Sequence, residues 1–166
     1  MNGSELERIA EIDRSEHVTQ YYVHQDGGLE LKDVDWQVVR WSADELEANM
    51  KAWRPLLDRG GVMLGAFEDA DLIGFAIYRP HLTEYMGQFA VLYLNRDFRR
   101  RGLGSALTEE VIWLARADGA RKLYVSATPS VATVEFYRSR GFEVTSEPNR
   151  ELLELEPQDI HMTMEL

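Results

Sequence analysis

The segment Arg99-Arg100-Arg101-Gly102-Leu103-Gly104-Ser105 joins a strand-like apolar run, residues 89–94, to a helix-like run, residues 106–117. The first amide groups of a helix have no partners within the helix and carry the positive end of its dipole, so phosphate oxygens bind there. Glycines at positions 102 and 104 remove side chains that would keep a diphosphate away from the backbone. The segment therefore predicts a binding turn for a cofactor that carries a diphosphate.

Short glycine-rich turns occur in many proteins, and two better-known phosphate motifs do not fit this one. The segment lacks the Lys-Ser/Thr ending of a P-loop, and Leu107 stands where a dinucleotide-binding fingerprint would have its third glycine. On the turn alone, a positively charged helix start with ordinary capping explains the sequence equally well.

Two motifs in the right order and at the right spacing favour the binding turn. The pattern Arg-x-x-Gly-x-Gly from Arg99 to Gly104 resembles motif A of the GNAT N-acetyltransferases, which bind acetyl-coenzyme A. A strand at residues 122–126 follows at the family's usual distance. The ending Phe-Tyr-x-x-x-Gly-Phe, from Phe136 to Phe142, resembles the second family hallmark. The resemblance is clear from about residue 62 to the C-terminus and weak before that.

The resemblance implies an α/β fold with a mixed, mostly antiparallel central sheet that contains a splayed parallel strand pair and is flanked by helices. It implies a single GNAT-like domain over residues 1–166. Residues 62–166 would form the cofactor-binding core, and residues 1–57 a variable part on the acceptor side. The strand-helix-strand-helix-strand order in the centre of the chain agrees with right-handed crossovers in a mixed sheet.

The resemblance also assigns residues to the cofactor. Leu92 and Leu94, on the strand that would splay from its neighbour, would present free backbone groups to the pantetheine arm, and an N–H there would polarise the thioester carbonyl. Both leucines would pack in the core as well, since the contact is through the backbone. Ser130 stands where many relatives have an asparagine, so Ser130 or Thr133 would hydrogen-bond the cofactor instead. The predicted cofactor-binding residues are Leu92, Leu94, Arg99, Arg100, Arg101, Gly102, Leu103, Gly104, Ser105, Ser130, Thr133, Phe136 and Tyr137.

Two catalytic roles follow from the same resemblance. Tyr137 occupies the family's usual general-acid position, where a phenol with a pKa of about 10 can give a proton to a departing thiolate. The alternative is a core tyrosine with its hydroxyl at the surface. Glu84 is the first choice for the base, because a carboxylate both attracts an ammonium and accepts its proton. His81 and Tyr93 are the other candidates, and each of the three is also explained as an ordinary surface or packing residue.

Local signals place the remaining elements. Ser4 with Glu7 and Ser42 with Glu45 form two capping boxes, which predict helices that begin at these serines. Pro80 is expected to close a strand, together with His81, and residues 148–156 form an acidic excursion. Strands are predicted at residues 18–24, 29–31, 36–41, 62–67, 72–78, 88–95, 122–126, 142–145 and 160–166, with a turn at residues 25–28.

Composition excludes several classes of protein. The 166 residues are 45% hydrophobic without an apolar run of membrane-spanning length, which predicts one soluble domain. Acidic residues near the N-terminus do not fit a signal peptide, so a cytoplasmic location is the default. With no cysteine there is no disulfide, thiolate metal site or cysteine nucleophile. No metal is expected, because His17, His24 and His161 share no metal-ligand spacing.

Charge is distributed unevenly along a chain whose net charge is −11. Residues 81–140 carry a net charge of +3, whereas residues 1–80 carry −8 and residues 141–166 carry −6. A basic centre in an acidic shell suits an anionic cofactor and a cationic amine, although an acidic surface also simply keeps a protein soluble. Nucleic-acid binding is disfavoured, because the basic cluster is already assigned to the turn.

We therefore expect an acetyl-CoA-dependent N-acetyltransferase that moves an acetyl group directly to a primary amine of a small molecule or peptide, through a ternary complex. The absence of cysteine excludes a cysteinyl intermediate. The alternatives are a catalytically idle domain that binds acyl-CoA as a sensor or interaction module, and transfer of a longer acyl group or transfer to an alcohol. Polyamines, aminoglycoside-type drugs, amino acids and protein amines all remain open as acceptors. Family habit favours a homodimer.

Overall fold

The computed structural model describes residues 1, 3–25 and 28–166. A 3₁₀ helix (Gly3–Glu11) opens this part of the chain, and a second short one (Arg96–Phe98) follows the central strand. The other elements are, in chain order, β1 (Glu16–Gln25), β2 (Gly28–Val38), α1 (Ala43–Asp58), β3 (Val62–Glu68), β4 (Asp71–Thr83), β5 (Met86–Leu94), α2 (Leu103–Ala117), β6 (Lys122–Ala127), α3 (Val131–Ser139), β7 (Glu143–Val144), α4 (Arg150–Leu155) and β8 (Ile160–Glu165).

Six strands form one sheet in the order β3-β4-β5-β6-β8-β7. The pair β5–β6 is parallel, and the other neighbouring pairs are antiparallel. Helix α2 connects β5 to β6, as a parallel pair requires, because a short turn cannot return the chain to the same end of the sheet. The predicted fold class, a mostly antiparallel sheet with one parallel pair and flanking helices, is confirmed.

Different helices cover the two faces of this sheet. Helices α2 and α3 pack on one face, which we call the α2–α3 face, and the N-terminal 3₁₀ helix and α1 pack on the other, which we call the opposite face. The α2–α3 face buries Leu107, Val111, Leu123, Val125, Val134, Phe142, Ile160 and Met162, among others. The opposite face buries Leu6, Ile9, Ile12, Met63, Leu72, Phe75, Ile77 and Val91.

Strands β1 and β2 form a separate antiparallel hairpin. The sequence predicted two strands at 29–31 and 36–41, but one continuous strand, Gly28–Val38, pairs with β1. The hairpin contacts the start of α3, where the Tyr22 amide donates to the Pro129 carbonyl at 2.8 Å and the Tyr22 hydroxyl donates to Glu135 at 2.8 Å. The predicted turn at 25–28 includes Asp26 and Gly27, which lie outside the described residues.

The helix predicted from Ser4 is a 3₁₀ helix. Its buried side chains Leu6 and Ile9, and Ile12 directly after it, are spaced three apart, which matches the three residues per turn of a 3₁₀ helix and keeps all three on one face. The predicted cap depends on the Ser4 side chain, which lies outside the described part of the structure. The second capping box is confirmed, since Glu45 N–H donates to Ser42 Oγ at 3.2 Å and Ser42 N–H donates to Glu45 at 2.7 Å.

One other expectation about local structure is wrong, and a second gains detail. Pro80 and His81 do not end their strand, because β4 continues to Thr83. Its pairing with β5 is irregular between Arg79 and Thr83, and an irregular ladder tolerates a proline that has no amide to donate. The acidic excursion contains the short helix α4, whose first turn is capped by Asn149.

Candidate functional site

The parallel pair β5–β6 is hydrogen-bonded only at its beginning. Residues 86–88 pair with residues 122–124, and over the rest of both strands, all of which is described, no further pairing occurs. A gap therefore opens between the strands toward their C-terminal ends. This is the splayed pair that the sequence predicted.

Leu92 and Leu94 present backbone groups to this gap. The Asn95 amide donates to the Ile73 carbonyl on β4 at 2.9 Å, and Tyr93 lies opposite Phe75 in the same register. Backbone groups alternate between the two edges of a strand. The N–H and C=O groups of Leu92 and Leu94 therefore point away from β4, toward the unpaired edge.

The turn before α2 leaves its first amides available. Gly102 is the N-cap of α2 in the left-handed region, with φ 84°, and provides no capping side chain. The first helical bond runs from the Ala106 amide to the Gly102 carbonyl at 3.0 Å, so the amides of residues 103–105 precede the helical ladder. No acidic residue lies in this first turn. The geometry is therefore that of an anion-binding helix start.

Gly104 allows the start of α2 to approach its neighbours closely. A Cβ atom at this position would lie 3.3 Å from Leu94 Cδ1 and 3.4 Å from the Phe136 ring. The glycine thus brings the first turn of α2 next to the gap and next to α3. The predicted cofactor residues Leu94, Gly104 and Phe136 are brought together here.

The three arginines of the turn have different surroundings. Arg99 donates to Glu16 at 3.0 Å and to the Arg14 carbonyl at 2.8 Å, so its guanidinium holds the beginning of β1 against the turn. Arg100 is exposed and has a φ of 60°. Arg101 is exposed and lies 5.0 Å from the centre of the Phe98 ring. Arg100 and Arg101 are therefore the cations of the turn that face solvent.

Ser130 and Thr133 cap α3. The Thr133 amide donates to Ser130 Oγ at 3.3 Å, and the Ser130 hydroxyl donates to Thr133 Oγ1 at 2.9 Å. Ser130 is only 3% exposed. These two side chains therefore stabilise the start of α3 at the edge of the gap. Their contact with the cofactor stays a prediction.

Tyr137 lies in the core beside the gap. Its ring packs edge-on against Phe89, Phe136 and Phe142, with centroid distances between 5.3 and 5.7 Å. The residue is 5% exposed, and among the described residues its hydroxyl has no hydrogen-bond partner. Burial raises the pKa of Tyr137, and the nearby phenol of Tyr93 adds to the shift. The phenol is therefore protonated at neutral pH.

A model of the acetyltransferase (GNAT) family matches residues 27–142 of this sequence. The chain belongs to the GNAT acetyltransferase family. It is similar to an amino-acid acetyltransferase of Ectopseudomonas mendocina, 30% identical over 109 residues, which cover 66% of this chain and 22% of that protein. An amino-acid acetyltransferase of Pseudomonas syringae pv. syringae is 26% identical over 144 residues, or 78% of this chain and 33% of that protein. The chain thus spans about a fifth to a third of the length of these relatives.

Solved GNAT structures match nearly the whole chain. Nourseothricin acetyltransferase superposes with a TM-score of 0.74 at 20% identity, covering 98% of this chain and 93% of that one. The PaiA N-acetyltransferase from Thermoplasma acidophilum, in complex with coenzyme A, superposes with a TM-score of 0.64 at 18% identity, covering 100% and 96%. At these identities the likeness shows that the fold is shared.

Within this GNAT fold, the three candidate bases lie in different places. Glu84 and His81 are exposed residues near the tip of the β4–β5 hairpin, at the closed end of the strand pair. Leu92 lies about 20 Å from Met86 along β5 at the usual rise per residue. Tyr93, by contrast, lies at the open end. The structure therefore does not bring Glu84 to the gap, and it does bring Tyr93 there.

The opposite face of β6 and β8 is polar near the gap. Leu123, Val125 and Ala127 enter the α2–α3 core, so Tyr124 and Ser126 point to the opposite face because side chains alternate along a strand. His161 on β8 is 2% exposed and lies with its Nδ1 2.8 Å from the Tyr124 hydroxyl. From the sequence, His161 was considered only as a metal ligand, although its place among the alternating apolar residues of the last strand was a usable signal.

Hydrogen bonds fix the tautomer of His161. Its Nε2 lies 3.1 Å from the Glu156 carbonyl, which can only accept, so Nε2 carries the proton and Nδ1 accepts from Tyr124. Burial lowers the pKa of His161, which favours this neutral form. The Tyr124 hydroxyl in turn accepts from the Asn149 amide at 3.0 Å. The network holds the segment before β8 in place.

Two carboxylates in that segment, Glu156 and Asp159, were not predicted as site residues. Burial raises the pKa of Asp159 to about 7, and the charge of Glu156 adds to the shift. Burial also raises the pKa of Glu156, although a hydrogen bond from Ser126 opposes this effect. Burial raises the pKa of Tyr93, with Arg14 opposing the shift and the carboxylates of Asp159 and Glu156 adding to it. Both carboxylates therefore lie close enough to Tyr93 to influence its phenol.

The part of the chain that the structure describes lacks two further features. No three histidine, aspartate or glutamate side chains in it are grouped so that they could hold a metal ion. Within the same part of the chain, no helix has the length and apolar character needed to cross a membrane.

Proposed function

We propose that this protein is an acetyl-CoA-dependent N-acetyltransferase that moves an acetyl group directly to a primary amine of a small molecule or peptide. The observation that carries the proposal is the gap between β5 and β6, which is lined by free backbone groups and leads to the open amides of α2. Tyr137 lies beside this gap with an unsatisfied hydroxyl. The three features together provide for binding, for polarisation of a carbonyl group and for proton donation.

The residues present fit a coenzyme A thioester. A Cβ atom on Gly102 would meet nothing within 4 Å, so there is room for a diphosphate above the first amides of α2. Arg100 and Arg101 would neutralise its charge through charge-assisted hydrogen bonds. The backbone groups of Leu92 and Leu94 would hold the pantetheine arm. Arg99 is not part of this set, because its guanidinium is engaged by Glu16 and the Arg14 carbonyl.

When bound, acetyl-CoA supplies the acetyl group as a thioester. An N–H group of the β5 edge would donate to the thioester carbonyl oxygen, where negative charge develops. The nitrogen of the uncharged amine, formed when the ammonium has lost a proton to solvent, bonds to the carbonyl carbon, and the carbon–sulfur bond breaks. Tyr137 then gives its proton to the sulfur, and the proton lost by the nitrogen restores the phenol. Burial raises the pKa of Tyr137, which keeps the phenol protonated until the thiolate forms.

The relatives suggest two acceptor classes to test first. The curated relatives are named as amino-acid acetyltransferases, and they share only part of their length with this chain. Nourseothricin acetyltransferase shares the fold over nearly the whole chain. An acceptor panel should therefore include free amino acids, streptothricin-type antibiotics, linear polyamines and peptides with a free N-terminus.

The test combines binding with turnover. We expect acetyl-CoA to bind with 1:1 stoichiometry in a calorimetric titration, and at least one amine of the panel to release free thiol together with an equal amount of acetylated amine by mass spectrometry. Tight acetyl-CoA binding without turnover on any amine would replace this proposal with the idle acyl-CoA-binding domain. An absence of acetyl-CoA binding would contradict both.

A further inference from the structure

The carboxylates of Glu156 and Asp159 lack a cationic partner. Neither forms an ion pair with any described lysine, arginine or histidine, although eleven such pairs occur elsewhere in the described chain. Both residues are only partly exposed, and Asp159 lies one residue before β8 with its amide bonded to the Glu156 carbonyl at 3.1 Å. Two like charges held together with little water leave room for a cation that the protein itself does not provide.

A second, independent observation indicates a ligand site beside the two carboxylates. The Tyr137 side chain is only 5% exposed, and its hydroxyl has no hydrogen-bond partner among the described residues. Its phenol lies near that of Tyr93. Asp159 directly precedes β8, whose first residue pairs with the last residue of β6, so Asp159 and Glu156, which is bonded to its amide, border the gap on the β6 side. Their charges reach the phenol of Tyr93 across the gap. The proposed proton donor and the two carboxylates therefore lie around the phenol of Tyr93, at the open end of the strand gap.

The other side chains around the two carboxylates and Tyr93 are aromatic. Trp41 packs edge-on against Tyr93, with ring centroids 4.7 Å apart. Arg14 also interacts with Tyr93, but its guanidinium is bonded to Glu45 at 3.1 Å and lies 5.2 Å from the centre of the Trp41 ring. That cation is therefore already paired, and the aromatic faces favour a positively charged ligand.

We propose that Glu156 and Asp159 bind the ammonium group of the acceptor amine, next to Tyr93 and on the opposite side of the gap from α2 and α3. The proposal rests on the function proposed above and adds the class of acceptor. The acceptor is a cationic amine that carries no carboxylate near its reacting nitrogen. An α-amino acid would place its own carboxylate near the two acidic side chains, and the repulsion would weaken its binding.

The experiment measures the acceptor KM at saturating acetyl-CoA by release of free thiol. The probes are 1,4-diaminobutane, glycinamide and glutamate, and the variants are Asp159→Asn and Glu156→Gln. The matched control is Glu154→Gln, because Glu154 is an exposed residue of the same segment that pairs with Arg150 at 2.8 Å. Asp159→Glu serves as the conservative variant that keeps the charge.

We expect the wild-type protein to prefer the diamine to glutamate by at least tenfold in kcat/KM. Asp159→Asn and Glu156→Gln should each raise the KM of the diamine at least tenfold, with less than a twofold change in the KM of acetyl-CoA. Glu154→Gln should leave both values unchanged, and Asp159→Glu should retain most of the diamine preference. The wild-type preference needs no variant, so it remains decisive if a substitution prevents folding.

A calorimetric titration of 1,4-diaminobutane into the protein saturated with coenzyme A separates this proposal from the proposed function. Binding that is weakened by Asp159→Asn, without turnover on any amine, would support the ammonium site and overturn the transferase. Turnover that neither variant changes, or a wild-type preference for glutamate, would overturn the ammonium site and leave the transferase intact. A wild-type protein that binds no diamine would also overturn the ammonium site.

Discussion

The two sides of the gap between β5 and β6 are built in different ways. On the α2–α3 side, the features that fit a cofactor come from two short segments, residues 99–105 and 130–137, and act mainly through backbone groups and glycines. On the opposite side, Tyr93, Tyr124, Glu156 and Asp159 come from three separate parts of the chain and act through side chains. The proposed donor site is therefore encoded by local spacing, whereas the proposed acceptor site depends on tertiary structure.

The largest expected effect concerns Tyr137, which lies between the two sides. Tyr137→Phe should lower kcat about 100-fold, the usual contribution of a general acid, while the KM of acetyl-CoA changes little. The free energy of unfolding should not fall, because the hydroxyl has no partner among the described residues. Steady-state kinetics and a thermal melt check both statements. Tyr85→Phe, at the exposed hairpin tip, is the control, and an unchanged kcat in Tyr137→Phe would remove the assignment.

A smaller effect distinguishes two adjacent arginines of the turn. Arg100→Gln should weaken acetyl-CoA binding about 3- to 10-fold, and less in high salt, because it removes an exposed cation near the diphosphate. Arg99→Gln should instead lower the Tm, since it leaves Glu16 without its partner at 3.0 Å. Calorimetry and melting curves of both variants test this difference. The reverse pattern would mean that Arg99 and not Arg100 contacts the cofactor.

The pH dependence of the free energy of unfolding tests the acceptor side alone. The pKa of Asp159 is raised to about 7 in the folded protein by burial and by Glu156, so the folded state holds this proton more tightly than the unfolded state. The free energy of unfolding should therefore fall as the pH rises from about 4 through about 7. Asp159→Asn removes this pH-dependent loss of stability. It should raise the Tm by roughly 3–6 °C at pH 8, with little change near pH 4. Equal melting temperatures at pH 8 would contradict the burial of this charge.

The smallest expected effect is at Glu84, the base predicted from the sequence. Glu84→Gln should leave kcat/KM within about twofold and the pH profile unchanged, because Glu84 lies at the closed end of the strand pair. A pH–rate profile of this variant beside that of the wild-type protein is sufficient. If the basic limb of the pH–rate profile is lost in this variant, Glu84 belongs to the catalytic site. That result would contradict the placement of the acceptor side at the open end of the gap.

The sequence predicted the parts of the site that local chemistry determines. The spacing at 99–104 predicted the turn directly, and the resemblance carried by the two motifs implied the splayed strand and the position of Tyr137. Two failures have physical reasons. Pro80 did not end β4, because the pairing with β5 is irregular there. Glu84 was chosen by residue type and nearness in sequence to β5, whereas Asp159 reaches the gap only because β8 runs antiparallel to β6, and no local pattern shows that pairing.

The most direct test of the proposed diphosphate site uses two glycines at opposite ends of α2. Gly102 and Gly119 both have positive φ, 84° and 78°, and a Cβ atom on either would meet nothing within 4 Å. Valine at either position carries the same backbone strain, about 1–2 kcal/mol for a left-handed residue. Only Gly102 lies beside the proposed diphosphate site.

Calorimetric titration of acetyl-CoA into the wild-type protein, Gly102→Val and Gly119→Val compares the two ends. We expect the same Kd for the wild-type protein and Gly119→Val, and a Kd at least tenfold higher for Gly102→Val. Equal affinity in all three proteins, or no binding by the wild-type protein, would contradict a diphosphate site at the start of α2.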